Sequence, residues 1–294
     1  MKKKNLITVL IAILIVIAGV FYIKNYKQKI NNTANQASST VDAMKVKQRK
    51  YNNIVVTLFF HGAGSSYHAE EHMANAAVKA GAADQIIRAN VPKNDHVSLI
   101  GKFTKAVKHP IIEVNYANNM AVNPNDVKAV LTAVQNKYGF HKVNLVGHSM
   151  GNLLIANYIN ENYANKKLPQ IQKVVSIAGH YNGWLGEEKA AASPTKNRKT
   201  GEPVKRSASF RQLLSLRKHY PRNIRVLNMY GDLQDGSKSD GSVAVSSARS
   251  YKYLINGRAR SYRKVEFLGR SAQHSRLHSN TQVDRELINF LWNR

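Results

Sequence analysis

The sequence predicts an α/β fold with a mostly parallel, doubly wound sheet, preceded by an N-terminal transmembrane helix and a stalk. Three observations carry this prediction. Short segments that are apolar on both faces alternate with helical segments, which is typical of a parallel sheet covered by helices on both sides. A tight turn with two glycines joins one of these segments directly to a helical one. A long apolar run follows a lysine cluster at the N-terminus.

The N-terminal segment is expected to anchor the chain in a membrane. Lysines at positions 2–4 precede the apolar run Leu6–Ile23, which is long enough to cross most of a hydrocarbon core about 30 Å thick. Because lysines favour the cytoplasmic side, the rest of the chain is expected outside the cell. A cleaved signal peptide is the alternative, but Ala18-Gly19-Val20 is followed by bulky Phe21 and makes a poor cleavage site. We therefore assign residues 1–23 to an anchor.

Beyond the anchor, the composition changes twice. Residues 24–50 are polar and of low complexity, which predicts a flexible stalk because they offer little to bury. Apolar runs begin after Tyr51. A folded domain is therefore expected over residues 51–294.

The strands of this domain are predicted from runs of apolar and β-branched residues. The first run is apolar throughout, as expected for a strand that is buried on both faces. Two alternating segments around Pro92–Asp95 predict a short hairpin. In chain order the predicted strands are Ile54–Phe60, Gln85–Val91, His96–Ile100, Pro110–Tyr116, Val143–Val146, Ile171–Ala178, Ile224–Tyr230 and Tyr262–Leu268.

The helices between these strands are predicted from their start and stop signals. Pro124 stands near the first position of one helix, and Gly81 and Gly139 end two of them. The predicted helices cover residues 67–80, 124–138, 152–163 and 282–292. Between the sixth and seventh strands, residues of about 180–221 form a long polar insert, which we expect to cover the site like a lid.

One turn carries a catalytic motif. Gly147-His148-Ser149-Met150-Gly151 fits the G-x-S-x-G pattern, directly after an apolar strand and directly before a helix. This setting matters, since a sharp strand-to-helix turn exposes the serine hydroxyl above the sheet and the glycines permit the strained turn. We therefore predict that Ser149 is a nucleophile and that His148 packs within the turn.

Three further segments accompany this motif: HGAGS at 61–65, SDGSVAVSSA at 239–248 and AQHSRLHSN at 272–280. With them, residues 51–294 resemble bacterial lipases and esterases of the α/β-hydrolase superfamily, and most closely a family of cell-surface α/β hydrolases of Gram-positive bacteria. The resemblance implies an α/β-hydrolase fold with an inserted lid. In the lipases another glycine often follows the turn, where this chain has Asn152.

The resemblance also implies a Ser-His-Asp triad, in the chain order Ser, Asp, His. Asp240 lies in an Asp-Gly-x-Val context similar to that of the lipase acid and is the favoured candidate, with Asp232 as the alternative. His274 is the favoured base because it lies nearer to the end of the last strand than His278, which remains the alternative. The expected oxyanion donors are the backbone N–H groups of Ala63 and Met150.

These assignments predict hydrolysis of a carboxylic ester through an acyl-enzyme. Amides and thioesters would use the same triad. The insert is basic and polar, with a modest apolar stripe over Phe210–Leu216, which favours an esterase acting on soluble or anionic acyl substrates over a triglyceride lipase. No cofactor is implied.

Two other functions compete with this interpretation. The segment His68–His72 matches H-x-x-E-H, an inverted zinc-protease motif, but no third ligand stands out downstream. The other alternative is a non-catalytic cell-surface binding module that retains the hydrolase fold, since a fold alone does not establish activity.

The composition limits the possible partners. The chain has 294 residues and no cysteine, which excludes disulfides, a thiolate nucleophile, cysteine-ligated zinc and a cysteine-linked lipid. A net charge of +27 predicts attraction to anionic cell-wall polymers or lipids. The sequence contains no zinc-finger spacing and no basic zipper, so specific nucleic-acid binding is not expected. The expected partners are therefore a small acyl ester, the membrane through the N-terminal helix, and anionic polymers or lipids.

Overall fold

The computed structural model describes residues 19, 21–33, 36, 51, 53–93, 96–104, 106–186, 189–255 and 257–293. The chain divides into two compact units, Met1–Lys50 and Tyr51–Arg294. The second unit contains every predicted site residue.

In the first unit, residues 21–33 are helical and exposed. The rings of Tyr22 and Tyr26 stack with their centroids 6.3 Å apart, and such i,i+4 contacts stabilise a helix. Helix is thus present in part of the predicted stalk, where lysine and glutamine have good helix propensity. Most of the predicted membrane segment Leu6–Ile23 lies outside the described residues. None of the helices that are described has the length and apolar character that crossing a bilayer requires.

The second unit is built on a sheet whose described part has eight strands, accompanied by a separate two-stranded hairpin. The strands are β1 Val55–Phe60, β2 Gln85–Val91, β3 Ser98–Ile100, β4 Pro110–Tyr116, β5 Lys142–His148, β6 Gln170–Ile177, β7 Thr195–Asn197, β8 Glu202–Pro203, β9 Arg225–Asp232 and β10 Ser261–Leu268. The large sheet has the order β10-β9-β6-β5-β1-β4-β2-β3. Its neighbouring strands are parallel except β2 and β3, which form the predicted hairpin.

Helices cover both faces of this sheet. They are α1 His68–Lys79, α2 Pro124–Tyr138, α3 Met150–Asn162, α4 Ala208–Gln212, α5 Leu216–His219, α6 Val245–Arg249, α7 Tyr251–Ile255 and α8 Thr281–Trp292. Leu58 of β1 packs in one cluster with Leu131 of α2 and Leu154 of α3. Its neighbour Phe59 packs on the opposite face with Met73 of α1, because successive strand residues point to opposite faces.

The sequence signals for α2 are confirmed in detail. The side chain of Asn123 accepts a hydrogen bond from the N–H of Asn125, and Pro124 occupies the first turn. Gly139 closes the helix with a φ of 75°, in the left-handed region that glycine adopts without strain. The predicted α/β fold with a mostly parallel sheet is confirmed, and the bounds of the eight predicted strands differ only by a few residues at their ends. The strands β7 and β8 and the short helices α4 to α7 were not predicted.

The insert contains β7, β8, α4 and α5. Phe210, Leu213 and Leu216 are fully buried in the same cluster as α2 and α3. These residues of the apolar stripe therefore belong to the core, and the expectation that the insert covers the site stays a prediction. A local run of apolar residues does not distinguish a core-facing side chain from a substrate-facing one, since both are kept from water.

Candidate active site

The candidate site lies at the carboxyl ends of the central parallel strands. β1 and β5 are neighbours, with Phe60 paired to Gly147, so the loop after β1 and the turn after β5 leave the sheet side by side. The strand order reverses at β1, since β4 lies on its other side. Open α/β sheets bind ligands in the crevice at such a reversal.

Ser149 stands at the predicted bend between β5 and α3. Its backbone has φ 52° and ψ −119°, a conformation that costs a non-glycine residue about 1–3 kcal/mol. The turn is held in place because the Ser149 N–H donates to the carbonyl of Ile177, at 2.9 Å. The strained residue is therefore fixed by the neighbouring strand β6.

Asn152, which replaces the glycine of the lipase pattern, braces this turn. Its side-chain Nδ2 donates to the carbonyl of Ser149 at 3.1 Å and to that of Ile177 at 2.9 Å. The amide thus links the nucleophile turn to β6. The sequence comparison with lipases gave no sign of this role, because it depends on the position of β6 beside the turn.

Two glycines allow the close packing around Ser149. A Cβ at Gly62 would lie 3.0 Å from the Cβ of Ser149 and 3.5 Å from its Oγ. A Cβ at Gly151 would collide with the backbone carbonyl of Phe60. Glycine at these positions therefore lets the loop after β1 approach the nucleophile and lets α3 approach β1.

The favoured triad residues lie together in one line of contacts. Ser149 Oγ is 2.9 Å from His274 Nε2, and His274 Nδ1 is 2.9 Å from Asp240 Oδ2. The side chains of His274 and Asp240 are only 12% and 1% exposed. Asp240 follows β9 and His274 follows β10, so parallel strands bring these residues to the same edge of the sheet.

Hydrogen bonds hold both the carboxylate and the backbone carbonyl of Asp240. Its Oδ1 accepts hydrogen bonds from the N–H groups of Ser242, at 2.9 Å, and Val243, at 2.7 Å. Its backbone carbonyl accepts from the N–H of His274, at 2.9 Å. Because the carboxylate is turned by these bonds, only Oδ2 faces the imidazole.

The alternative candidates have other partners. Asp232 accepts a hydrogen bond from the N–H of Gln234, which is a turn contact. His278 packs edge-on against His148, with centroids 5.0 Å apart.

Buried histidines surround His274. Burial, followed by the charges of His274 and His278, lowers the pKa of His148 well below its usual value. The Nε2 of His148 lies 3.1 Å from the backbone carbonyl of His274, to which it donates. Burial, followed by the charge of His274, lowers the pKa of His180 to about 4, although Asp240 opposes this change. Both side chains are therefore neutral near pH 7.

His180 is a site residue that the sequence analysis placed only at the start of the insert. It lies three residues after Ile177, the last residue of β6, and the carboxyl ends of parallel strands meet at one edge. That position is the signal by which it could have been found.

Tyr116, the last residue of β4, holds the loop after β1 in place. The ring of His61 stacks on that of Tyr116 with centroids 3.9 Å apart, and the Tyr116 hydroxyl donates a short hydrogen bond to the His61 carbonyl. Burial lowers the pKa of His61. Ala63 follows in this exposed loop, and Met150 is the first residue of α3, where N–H groups have no acceptor within the helix.

The H-x-x-E-H segment lies on α1 and its histidines contact carboxylates. His68 Nδ1 is 2.7 Å from Glu71 Oε2, and His72 Nε2 is 2.8 Å from Asp284 Oδ2 of α8. Among the described residues no cluster of three or more metal-ligating side chains is present. His68 thus contacts a residue one turn further along α1, and His72 links α1 to α8.

Comparison with known families gives one match that spans most of the chain. The model of a family described as "Alpha/beta hydrolase of unknown function (DUF915)" matches residues 43–294. Among curated proteins, none matches this sequence.

Solved structures share the fold. A crystal structure of a gene product from Listeria innocua is 22% identical, with a TM-score of 0.73, covering 81% of this chain and 94% of that chain. A protein from Lactobacillus plantarum WCFS1, described as a cell surface hydrolase, is 16% identical, with a TM-score of 0.66, covering 82% of this chain and 90% of that chain. At these identities the likeness establishes the fold alone.

Proposed function

The chain belongs to the family of α/β hydrolases of unknown function described above, and we propose that it is a serine hydrolase that cleaves carboxylic esters through an acyl-enzyme. The observation that carries the proposal is the line of two 2.9 Å contacts from Ser149 Oγ through the imidazole of His274 to Asp240. A nucleophile, a base within reach of it and a group that orients the base are the parts that this chemistry needs.

The first step follows from the hydrogen bonds. An ionised Asp240 only accepts, so Nδ1 of His274 carries the hydrogen and Nε2 presents its lone pair to Ser149 Oγ. The Oγ attacks the acyl carbonyl carbon while Nε2 takes the hydroxyl proton. His274 then gives this proton to the leaving alcohol, and water releases the acyl group by the same route in reverse.

Asp240 acts by orientation and charge. It fixes the imidazole tautomer and stabilises the imidazolium that forms when His274 takes the proton. Its support by the N–H groups of Ser242 and Val243 keeps the carboxylate aligned, so that no rearrangement is needed during the reaction.

The oxyanion is proposed to bind the N–H groups of Ala63 and Met150. The close approach of Gly62 to Ser149 supports a role for the first loop, and the position of Met150 at the start of α3 supports the second donor. Removal of one such donor typically costs about 2.7–4 kcal/mol of transition-state stabilisation.

The proposed substrate is an acyl ester that is soluble or anionic. Several lysines and arginines of the insert are exposed. The apolar stripe residues Phe210, Leu213 and Leu216 are buried in the core, whereas Trp184 is exposed. An exposed apolar surface that would bind a lipid droplet is therefore not provided by this stripe.

The proposed location is the outer face of the cell membrane, with the hydrolase unit extracellular and the chain anchored through residues 1–23. The lysine cluster before the apolar run supports this orientation. The similar Lactobacillus protein is described as a cell surface hydrolase, which is consistent with it.

Covalent labelling and turnover test the activity. The full chain and Ser149→Ala are treated with a fluorophosphonate probe and assayed with p-nitrophenyl esters of short acids. We expect labelling and turnover for the wild type and neither for Ser149→Ala. Ser275→Ala, which removes an exposed hydroxyl beside His274, is the matched control and should retain both. A wild-type chain that is neither labelled nor active would favour a non-catalytic binding module instead.

A further inference from the structure

A groove lies at the amino ends of the sheet strands, at the edge opposite to Ser149. It has a volume of about 490 Å³ and runs between the strand starts and the C-terminal end of α8. Residues of both sets line it, including Asn53, Lys108, Lys173, Arg225, Arg260 and Trp292.

The groove concentrates positive charge without neutralising it. Within the described residues, the side chains of Lys108, Arg225 and Arg260 make no ion pair or hydrogen bond. Arg225 starts β9 and Arg260 directly precedes the neighbouring strand β10, and the N–H of Arg260 donates to the carbonyl of Ile224. Two guanidinium groups therefore share one end of the groove.

Lys173 stands beside them. Its Nζ donates to the carbonyls of Phe290 and Leu291 at the end of α8, at 2.9 and 2.8 Å. Burial, and then the charge of Arg225, lowers the pKa of Lys173. Lys173 thus caps the C-terminal end of α8. Its positive charge lies near that of Arg225, and a bound anion would reduce the repulsion between the two.

The carboxylates near this edge are already engaged. Asp84 accepts hydrogen bonds from the N–H groups of Lys108 and His109, at 2.7 and 3.0 Å. Glu286 pairs with Arg263 on the outer strand, at 2.6 Å. These acids therefore leave the guanidinium groups of Arg225 and Arg260 available.

The hydrolase unit begins at this same edge. The carbonyl of Tyr51 accepts a hydrogen bond from the N–H of Ile54, at 3.0 Å, and Ile54 lines the groove. The expected membrane segment ends at Ile23, and residues 24–50 separate it from Tyr51 in the sequence. This stretch carries seven lysines or arginines and one aspartate.

We propose that this groove binds the phosphate groups of anionic membrane lipids through Arg225, Arg260 and Lys108, so that the site at the opposite edge faces away from the membrane. Guanidinium groups bind phosphate with two parallel hydrogen bonds. Trp292 supports a lipid surface over a dissolved phosphate, since tryptophan favours the headgroup region where an apolar body meets water.

Quenching of one tryptophan tests the proposal. The chain has two tryptophans, so Trp184→Phe leaves Trp292 as the only reporter. The full chain carrying this change is reconstituted in phosphatidylcholine vesicles, with or without phosphatidylglycerol, and both contain a headgroup-nitroxide lipid. We expect strong quenching of Trp292 with phosphatidylglycerol, little without it, and reversal in high salt, because salt screens exposed charges.

Charge variants identify the surface. Each basic residue at an anionic membrane raises the ratio of docked to undocked protein about fivefold. Arg225→Gln with Arg260→Gln should therefore lower this ratio about 25-fold. Arg198→Gln with Lys199→Gln removes the same charge from an exposed part of the insert and should leave the quenching unchanged.

Two results would overturn the proposal. One is quenching of Trp292 that does not depend on phosphatidylglycerol. The other is an equal loss in the insert variant, because the net charge of the protein, and not the groove, would then attract the membrane. The quenching of Trp292 does not depend on ester turnover, so it tests this proposal separately from the proposed activity.

Discussion

Gly62→Ala tests the geometry proposed for the oxyanion loop. The added Cβ would lie 3.0 Å from the Cβ of Ser149, whereas carbon atoms in contact normally lie about 3.5–4.0 Å apart. The loop must therefore move by roughly 0.5–1 Å relative to the nucleophile. Such a shift displaces the N–H of Ala63, which follows Gly62 directly.

The expected result is a selective loss of turnover. A misplacement of about 1 Å can lower the rate about 100-fold, and the loss of one oxyanion donor lowers kcat by about 100- to 1,000-fold. We therefore expect kcat to fall about 100-fold with a small change in KM, since the donor acts in the transition state. Overpacking costs about 1–3 kcal/mol, which lowers the Tm of a domain of this size by roughly 2–12 °C.

Steady-state kinetics with p-nitrophenyl esters, together with thermal unfolding followed by circular dichroism, measure both effects. Ser65→Ala is the matched control, because it changes a side chain of the same loop without adding an atom near Ser149. It should keep kcat within about threefold of the wild type. A Gly62→Ala protein that is folded and retains kcat in that range would refute the reasoning that this loop sets the oxyanion geometry.

Two further predictions follow from the site and from the core. Asp240→Asn should lower kcat about 10,000-fold, because an amide cannot fix the same imidazole tautomer, while Asp232→Asn, which affects only a turn contact, should stay near wild-type activity; equal losses in the two variants would contradict the assignment. Glu70 is fully buried, and burial, followed by the charge of Glu113, raises its pKa to about 8. The unfolded chain releases this proton near pH 4.5, so the stability contributed by protonated Glu70 is fully present below that pH and is lost as the pH rises towards 8. Glu70→Gln should therefore match the wild type near pH 4. At pH 8 its free energy of unfolding, measured by denaturant titration, should exceed that of the wild type by an amount on the order of 4 kcal/mol. A difference that does not depend on pH would contradict this explanation.

How far the sequence predicts the site depends on how local each signal is. The bend at Ser149 was predicted because strand, glycines and helix are contiguous in the chain. The choice between Asp240 and Asp232 rested on a resemblance, since both follow the same strand. In the structure Asp240 contacts His274, because hydrogen bonds within its own loop turn the carboxylate inward.

The buried insert residues illustrate the opposite case. The sequence showed a modest apolar stripe from Phe210 to Leu216 within a polar insert, and in the structure three of its residues lie in the core. Periodicity reports that a side chain avoids water and does not report what covers it. The role of Asn152 was equally hidden, because its second acceptor, the carbonyl of Ile177, belongs to another strand.

By itself the sequence determined the order of the eight strands of the large sheet and of its four longest helices, the strained turn at Ser149 and the excess of positive charge. These properties depend on residues that are neighbours in the chain or on simple sums over it. Only the tertiary structure decided which histidine and which aspartate lie near Ser149, and that Arg225 and Arg260 share a groove at the far edge of the sheet. The physical reason is that parallel strands gather distant loops at one edge, and the register of the sheet, which no short segment encodes alone, sets which side chains meet there.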